Sequence, residues 1–167
     1  EDAKRLCEAH FDGRDYLKDR SGLIYAAYLT LAGENARALK VYQRVFEYNS
    51  NPAAGLCAAL RAEQLQKLEL RDQLLQSVIE KGGRYRYDGK PTTEPIELAR
   101  MFQASLSGGG ELDLEAVEQL IKGDPQVRRS ICYLVACFLE NRSPAQARAY
   151  LLRGARDIRA FHSWGTL

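Results

Sequence analysis

The sequence holds little of what catalytic and metal chemistry is usually built from. Its 167 residues include only two histidines, His10 and His162, one tryptophan and one methionine. The four cysteines, Cys7, Cys57, Cys132 and Cys137, form no CxxC pair. A protein metal site needs three or four ligands at matched spacing. Cys7 and His10 lie three apart on a predicted helix, and no other His or Cys has a spacing that joins them. They read as a packed thiol beside a surface histidine, so no metal, cofactor or catalytic residue is expected. Phosphate-loop and GxSxG patterns are missing too. Gly108, Gly109 and Gly110 lack the preceding strand and the following Lys-Ser/Thr of a phosphate cradle, and read as a turn between helices. Long apolar runs are also lacking. The longest, Ile131 to Leu139, has nine residues, against the ~18 that a membrane span requires. No membrane span is expected.

Neither charge sign dominates. Twenty-four Lys and Arg against 22 Asp and Glu leave a net charge of +2, too small by itself to imply a nucleic-acid partner. The distribution is less even. From Pro125 onward there are seven Arg and no Lys, against Glu140 and Asp157 alone. Solvated outer helix faces account for such a run. The cysteines read as buried thiols, because free Cys behaves as a small hydrophobe. That favours a reducing compartment such as the cytoplasm over a disulfide framework. The chain starts at Glu1 and stops at "RAFHSWGTL", and is expected to be a piece of a longer protein.

What is present is helix. Asp124-Pro125 reads as an N-cap followed by proline at the first helical position, where its missing N–H costs nothing. Val127, Ile131, Leu134, Val135 and Phe138 then fall on one stripe. Ser143-Pro144 repeats the device and opens a helix to about Ala155, with Ala147, Leu151 and Ala155 inward. Two helices joined by so few residues lie antiparallel. Earlier pairs follow the same plan. One helix ends near Gly33, and its partner carries Ala38, Tyr42, Val45 and Phe46. Pro52 opens a helix with Leu56, Ala59, Leu60 and Leu65, followed by one with Leu74, Leu75, Val78 and Ile79 that glycine ends. A third pair carries Leu98, Ala99, Phe102 and Leu106, then Leu114, Val117, Leu120 and Ile121. First helices begin near Ser21, Pro52, Pro95 and Pro125, at spacings of 31, 43 and 30 residues. The tail residues Ile158, Phe161 and Trp164 read as the start of a fifth pair. The expected fold is all-α, one helical repeat domain of about four antiparallel hairpins stacked as a solenoid.

The segment "GLIYAAYLTLAGENARALKVYQRVFEYNSNP" resembles a tetratricopeptide repeat. The matching features are Ala26, Gly33 at the turn, Ala38, Tyr42 and the closing Pro52. The proline is displaced by about two positions, and Val45 replaces a small residue. The last hairpin resembles it with Val135, Ala147 and Leu151 standing for Ala26, Ala38 and Tyr42. The resemblance implies a right-handed superhelix whose first helices line a groove for a protein or peptide partner. In that register Arg20, Thr30, Arg129 and Glu140 face the groove. Leu23, Ala27, Cys132 and Ala136 occupy the places where some relatives clamp a terminal carboxylate, so capture of that kind is not expected.

One stretch, "EKGGRYRYDGKPTTEP" from Glu80 to Pro95, breaks the pattern. Its excess of about a dozen residues explains the longest spacing and marks an insertion at about 82–93. Glycine ends one helix, Thr92 or Thr93 caps the next, and Asp88-Gly89 signals a hairpin turn. Pro91 limits strand pairing. Arg84, Tyr85, Arg86 and Tyr87 are its candidate contact residues. The tyrosines read first as cover for exposed helix ends, then as a protein or peptide contact, and last as a stacking platform for single-stranded nucleic acid. The functional expectation is a non-catalytic binding scaffold within a larger protein. The alternatives are a helical domain of an enzyme whose catalytic residues lie elsewhere, and a weak nucleic-acid-binding module.

Overall fold

The computed structural model describes residues 20–87, 89–122 and 124–162. The described residues form eight α-helices, one short 3₁₀ turn and one two-residue β-ladder, so the protein is all-α. The chain divides into two compact units, Glu1–Thr92 and Thr93–Leu167. The boundary falls inside the expected insertion.

The first unit holds α1 (Arg20–Leu31), α2 (Asn35–Asn49), α3 (Pro52–Gln64) and α4 (Leu68–Lys81). Each packs on the next. The turns after α1 and α3 share one geometry. After α1, Gly33 takes a φ of 76°. Its N–H donates to Thr30 O at 3.0 Å, and the Glu34 N–H donates to Leu29 O at 2.8 Å. After α3, Gln66 takes a φ of 58°. Its N–H donates to Glu63 O at 2.9 Å, and the Lys67 N–H donates to Ala62 O at 2.8 Å. Both are paired bonds of the kind that satisfy the orphan carbonyls at a helix end. Between α2 and α3, buried Asn51 caps the helix that Pro52 opens. Its Oδ1 accepts from the Ala53 N–H at 3.0 Å and the Ala54 N–H at 3.4 Å.

Small residues let these helices come close. Ala26 of α1 and Ala38 of α2 are wholly buried, and so are Ala54, Ala58, Ala59 and Ala62 of α3. Gly55 is the tightest point. A Cβ placed there would lie 2.3 Å from Val78 Cγ2 of α4 and 3.1 Å from Phe46 Cδ2 of α2. Leu29, Val45, Leu56 and Leu75 complete a core that runs through all four helices.

Helix α4 ends with Gly82 at the C-cap position, as expected, but in right-handed rather than left-handed geometry. Gly82 has a φ of −58° and continues right-handed into a 3₁₀ turn, Gly82–Arg84. The Tyr85 N–H closes that turn on Gly82 O at 3.1 Å. Arg86–Tyr87 then pairs antiparallel with Lys90–Pro91, with Arg86 opposite Pro91 and Tyr87 opposite Lys90. Proline lacks an N–H for the ladder, and the pairing is two residues long.

The second unit holds α5 (Glu94–Gly108), α6 (Leu114–Leu120), α7 (Pro125–Leu139) and α8 (Pro144–His162). The expected threonine cap of α5 is not made. Thr93 sits at the cap position without a side-chain bond, and its own N–H donates to Glu94 Oε2 at 3.1 Å. Helix α6 is only seven residues long and is capped by Asp113, whose Oδ1 accepts from the Ala116 N–H at 2.9 Å. α7 is the centre of the unit and packs on both α5 and α8. Phe102 of α5 stacks on Phe138 of α7 with ring centroids 4.1 Å apart and planes 10° apart. Ile131, Leu134 and Val135 are buried beside them.

Two expectations for the last helix are corrected. Its inward residues are Ala147, Tyr150 and Gly154, while Leu151 and Ala155 are exposed. Gly154 sets this orientation, since a Cβ there would lie 3.3 Å from Cys132 Cβ. The chain also does not break after Ala155 to begin a new pair, because α8 continues to His162. The side chains of Ile158 and Phe161, and all of Trp164, lie outside the described residues.

Candidate functional site

The groove candidates divide between the two units. Thr30 is on α1, half-buried, and its hydroxyl donates to Ala26 O at 2.9 Å. That bond ties the hydroxyl to its own helix, a common use of Thr in helix interiors. The Arg20 side chain lies outside the described residues. Arg129 is on α7 and half-buried, and Glu140 is exposed just past the end of α7. The expected groove register fails at α7. Cys132 is wholly buried against α8 at Gly154, so the position assigned to a clamp residue lies in a helix–helix contact. Arg129, one turn earlier, has its carbonyl oxygen 3.6 Å from the same glycine's Cβ position.

The Arg-Tyr stretch is more self-contained than its composition suggests. Arg84 and Arg86 are exposed and Tyr85 is half-buried. The Arg86 Nη1 donates to Tyr85 O at 3.0 Å and also to Gly83 O, which fastens the guanidinium to the backbone of the 3₁₀ turn. The Tyr87 side chain is outside the described residues, so the expected alternation of rings and guanidinium groups is described only through Arg84, Tyr85 and Arg86.

The C-terminal arginines have divergent roles. Arg142 donates to Phe138 O at 2.7 Å and lies over the Phe138 ring, 4.1 Å from its centroid. This cation–π contact covers an aromatic edge of the core. Arg153 of α8 donates from Nη1 to both carboxylate oxygens of Glu118 on α6, at 2.7 and 2.6 Å. The Tyr150 hydroxyl joins them, donating to Glu118 Oε1 at 3.1 Å. The bond from Arg153 holds the Glu118 carboxyl below its ordinary range, against the opposing effect of burial. Burial, reinforced by the Glu118 bond, pushes the Tyr150 hydroxyl up to about 12. This cluster pins α6 to α8. Arg148 and Arg156 are exposed on α8.

Cys132 is buried, whereas Cys57 and Cys137 are only half-buried, and all three carry thiols rather than disulfides. Cys7 and His10 lie outside the described residues. Among the described residues, no three His, Cys, Asp or Glu side chains are grouped to hold a metal ion, and no helix is long and apolar enough to cross a membrane.

The features that sequence reasoning missed are apolar and exposed. Ile24 and Leu31 of α1 are 64% and 89% exposed, and Leu151 and Leu152 of α8 are 49% and 54% exposed. Ile24 and Leu31 are seven residues apart, which puts them on one face of α1. No family model matches this chain, and no curated protein or solved structure matches it.

Proposed function

We propose that this chain is a tetratricopeptide-like scaffold that binds a protein segment and performs no chemistry of its own. One observation carries the reading: helices stacked through small residues leave large apolar side chains in solvent on α1 and α8. Exposed apolar side chains that share a helix face, as Ile24 and Leu31 do, favour a contact surface there when they join into a patch. Further support comes from the first pair, where the repeat-like residues Ala26, Ala38 and Tyr42 are buried and Gly33 makes the turn between the helices with a φ of 76°. In the last pair Val135 and Ala147 are buried, whereas Leu151, at the place of Tyr42, is exposed.

The test is affinity capture from the source cell with the wild-type chain and with the variants Ile24→Glu/Leu31→Glu and Leu152→Glu. All three should give the same helical circular dichroism, because the substituted side chains are exposed. A protein retained by the wild type and lost from at least one variant is the expected result. An identical retained set from all three, or none from the wild type, would overturn the proposal.

A further inference from the structure

We infer that the outward face of α8 docks an acidic amphipathic helix. The inference rests on the scaffold reading above and gives its partner a chemistry. Opposite the buried Ala147, Tyr150 and Gly154, the helix presents Ala145, Ala149, Leu152 and Arg156, all exposed. These recur at intervals of four, three and four residues, so they form one stripe running about 16 Å along the axis. Arg148 is exposed beside this stripe, one turn before Leu152.

Each part of the stripe answers a different need of a docking helix. Ala145 and Ala149 have no bulk, and the axes of packed helices approach according to the size of the side chains between them. Leu152 supplies an apolar anchor at the middle. Arg148 and Arg156 bracket it, eight residues apart and both exposed, whereas Arg153 is bound to Glu118. From Pro144 to Arg156 the helix has no acidic residue. A partner with carboxylates flanking an apolar seam is therefore attracted along the whole stripe, and one with lysines is repelled. A cationic helix with leucines also suits an anionic lipid surface. Here the apolar strip is narrow, and the opposite side of the helix is already used against α7, so a helix partner is the better fit.

The probes are two 21-residue model helices with leucine at the heptad seam, one flanked by glutamates and the other by lysines. Binding to the whole chain is read by fluorescence anisotropy. The glutamate helix should bind at least ten-fold more tightly than the lysine helix, with affinity falling as salt rises. Arg148→Glu/Arg156→Glu should reverse the preference, and Leu152→Asp should weaken both. Circular dichroism and melting temperature check that these surface variants stay folded. Equal binding of the two helices, or a preference for glutamate that survives the charge reversal, overturns the inference. Binding of phosphatidylserine vesicles in place of the glutamate helix overturns it as well. If a cell-derived partner is lost on changing Ile24 and Leu31 but retained by Leu152→Asp, the scaffold reading stands and this inference fails.

Discussion

At the residue scale, Gln66 holds a place that usually belongs to glycine. Gly33 and Gln66 are 33 residues apart and close equivalent turns, each with the same pair of backbone bonds. A side chain in the left-handed region brings its Cβ against the following carbonyl, at roughly 1–2 kcal/mol. Gln66→Gly relieves that strain, partly offset by the greater freedom of glycine in the unfolded chain. The expected net gain is about 0.5 kcal/mol, read by denaturant unfolding, and Gly33→Ala should lose about 1 kcal/mol by the same reasoning. A loss of stability on Gln66→Gly would mean that the glutamine side chain holds the turn. The Glu118, Arg153 and Tyr150 cluster makes a second prediction, in pH. The folded carboxyl lies below its ordinary value, so its contribution is present above that value and is lost as pH falls through the lowered one. The tyrosine hydroxyl lies above its ordinary value of 10, so its contribution is present below pH 10 and disappears as pH rises toward about 12. Glu118→Gln should remove the acid component and Tyr150→Phe the alkaline one. The pair of Glu118 and Arg153 is 40% exposed on both sides, so a double-mutant cycle should give no more than about 1 kcal/mol.

At the scale of the element, helices were legible where a cap and a proline coincide. Pro125 and Pro144 each stand at the first residue of a helix, as Asp124-Pro125 and Ser143-Pro144 suggested, and so does Pro52, whose cap Asn51 came only from the structure. Ends were harder to read. Gly82 does end the α-helix, but glycine is also compatible with right-handed backbone, and the chain winds on into a 3₁₀ turn. The inward face of α8 was misread for a related reason. Leu151 and Ala155 are more apolar than Gly154, and periodicity weighs side chains by hydrophobicity. The face was chosen instead by the residue that allows the closest approach, with Gly154 against Cys132 and Tyr150 beside it. That same rotation put Cys132 into a helix contact and Leu151 and Leu152 into solvent. The candidate site was therefore legible only in part. The basic, apolar composition of α8 was visible in the sequence, but its exposed side depends on a packing distance that sequence spacing does not encode.

At the scale of the whole molecule, the stretch from Glu80 to Pro95 interrupts more than a repeat register. It contains the boundary between two compact units, each with a core of its own. In the first, Gly55 lies between Val78 and Phe46. In the second, Phe102 and Phe138 stack at full burial. A damaged core should then weaken its own unit selectively. Gly55→Val drives a Cβ and two methyl groups into a space where the Cβ alone would lie 2.3 Å from Val78 Cγ2, and overpacking costs typically about 1–3 kcal/mol. Phe138→Ala removes a buried ring, at roughly 3–5 kcal/mol, and also strips Arg142 of the face it covers. Amide hydrogen exchange reports local opening segment by segment. With Gly55→Val, protection should fall in α1 to α4 and hold in α5, α7 and α8. With Phe138→Ala the pattern should reverse. A uniform fall in protection across all these helices for either variant would mean that the two units unfold as one, and that the segment between them transmits the loss of one core to the other.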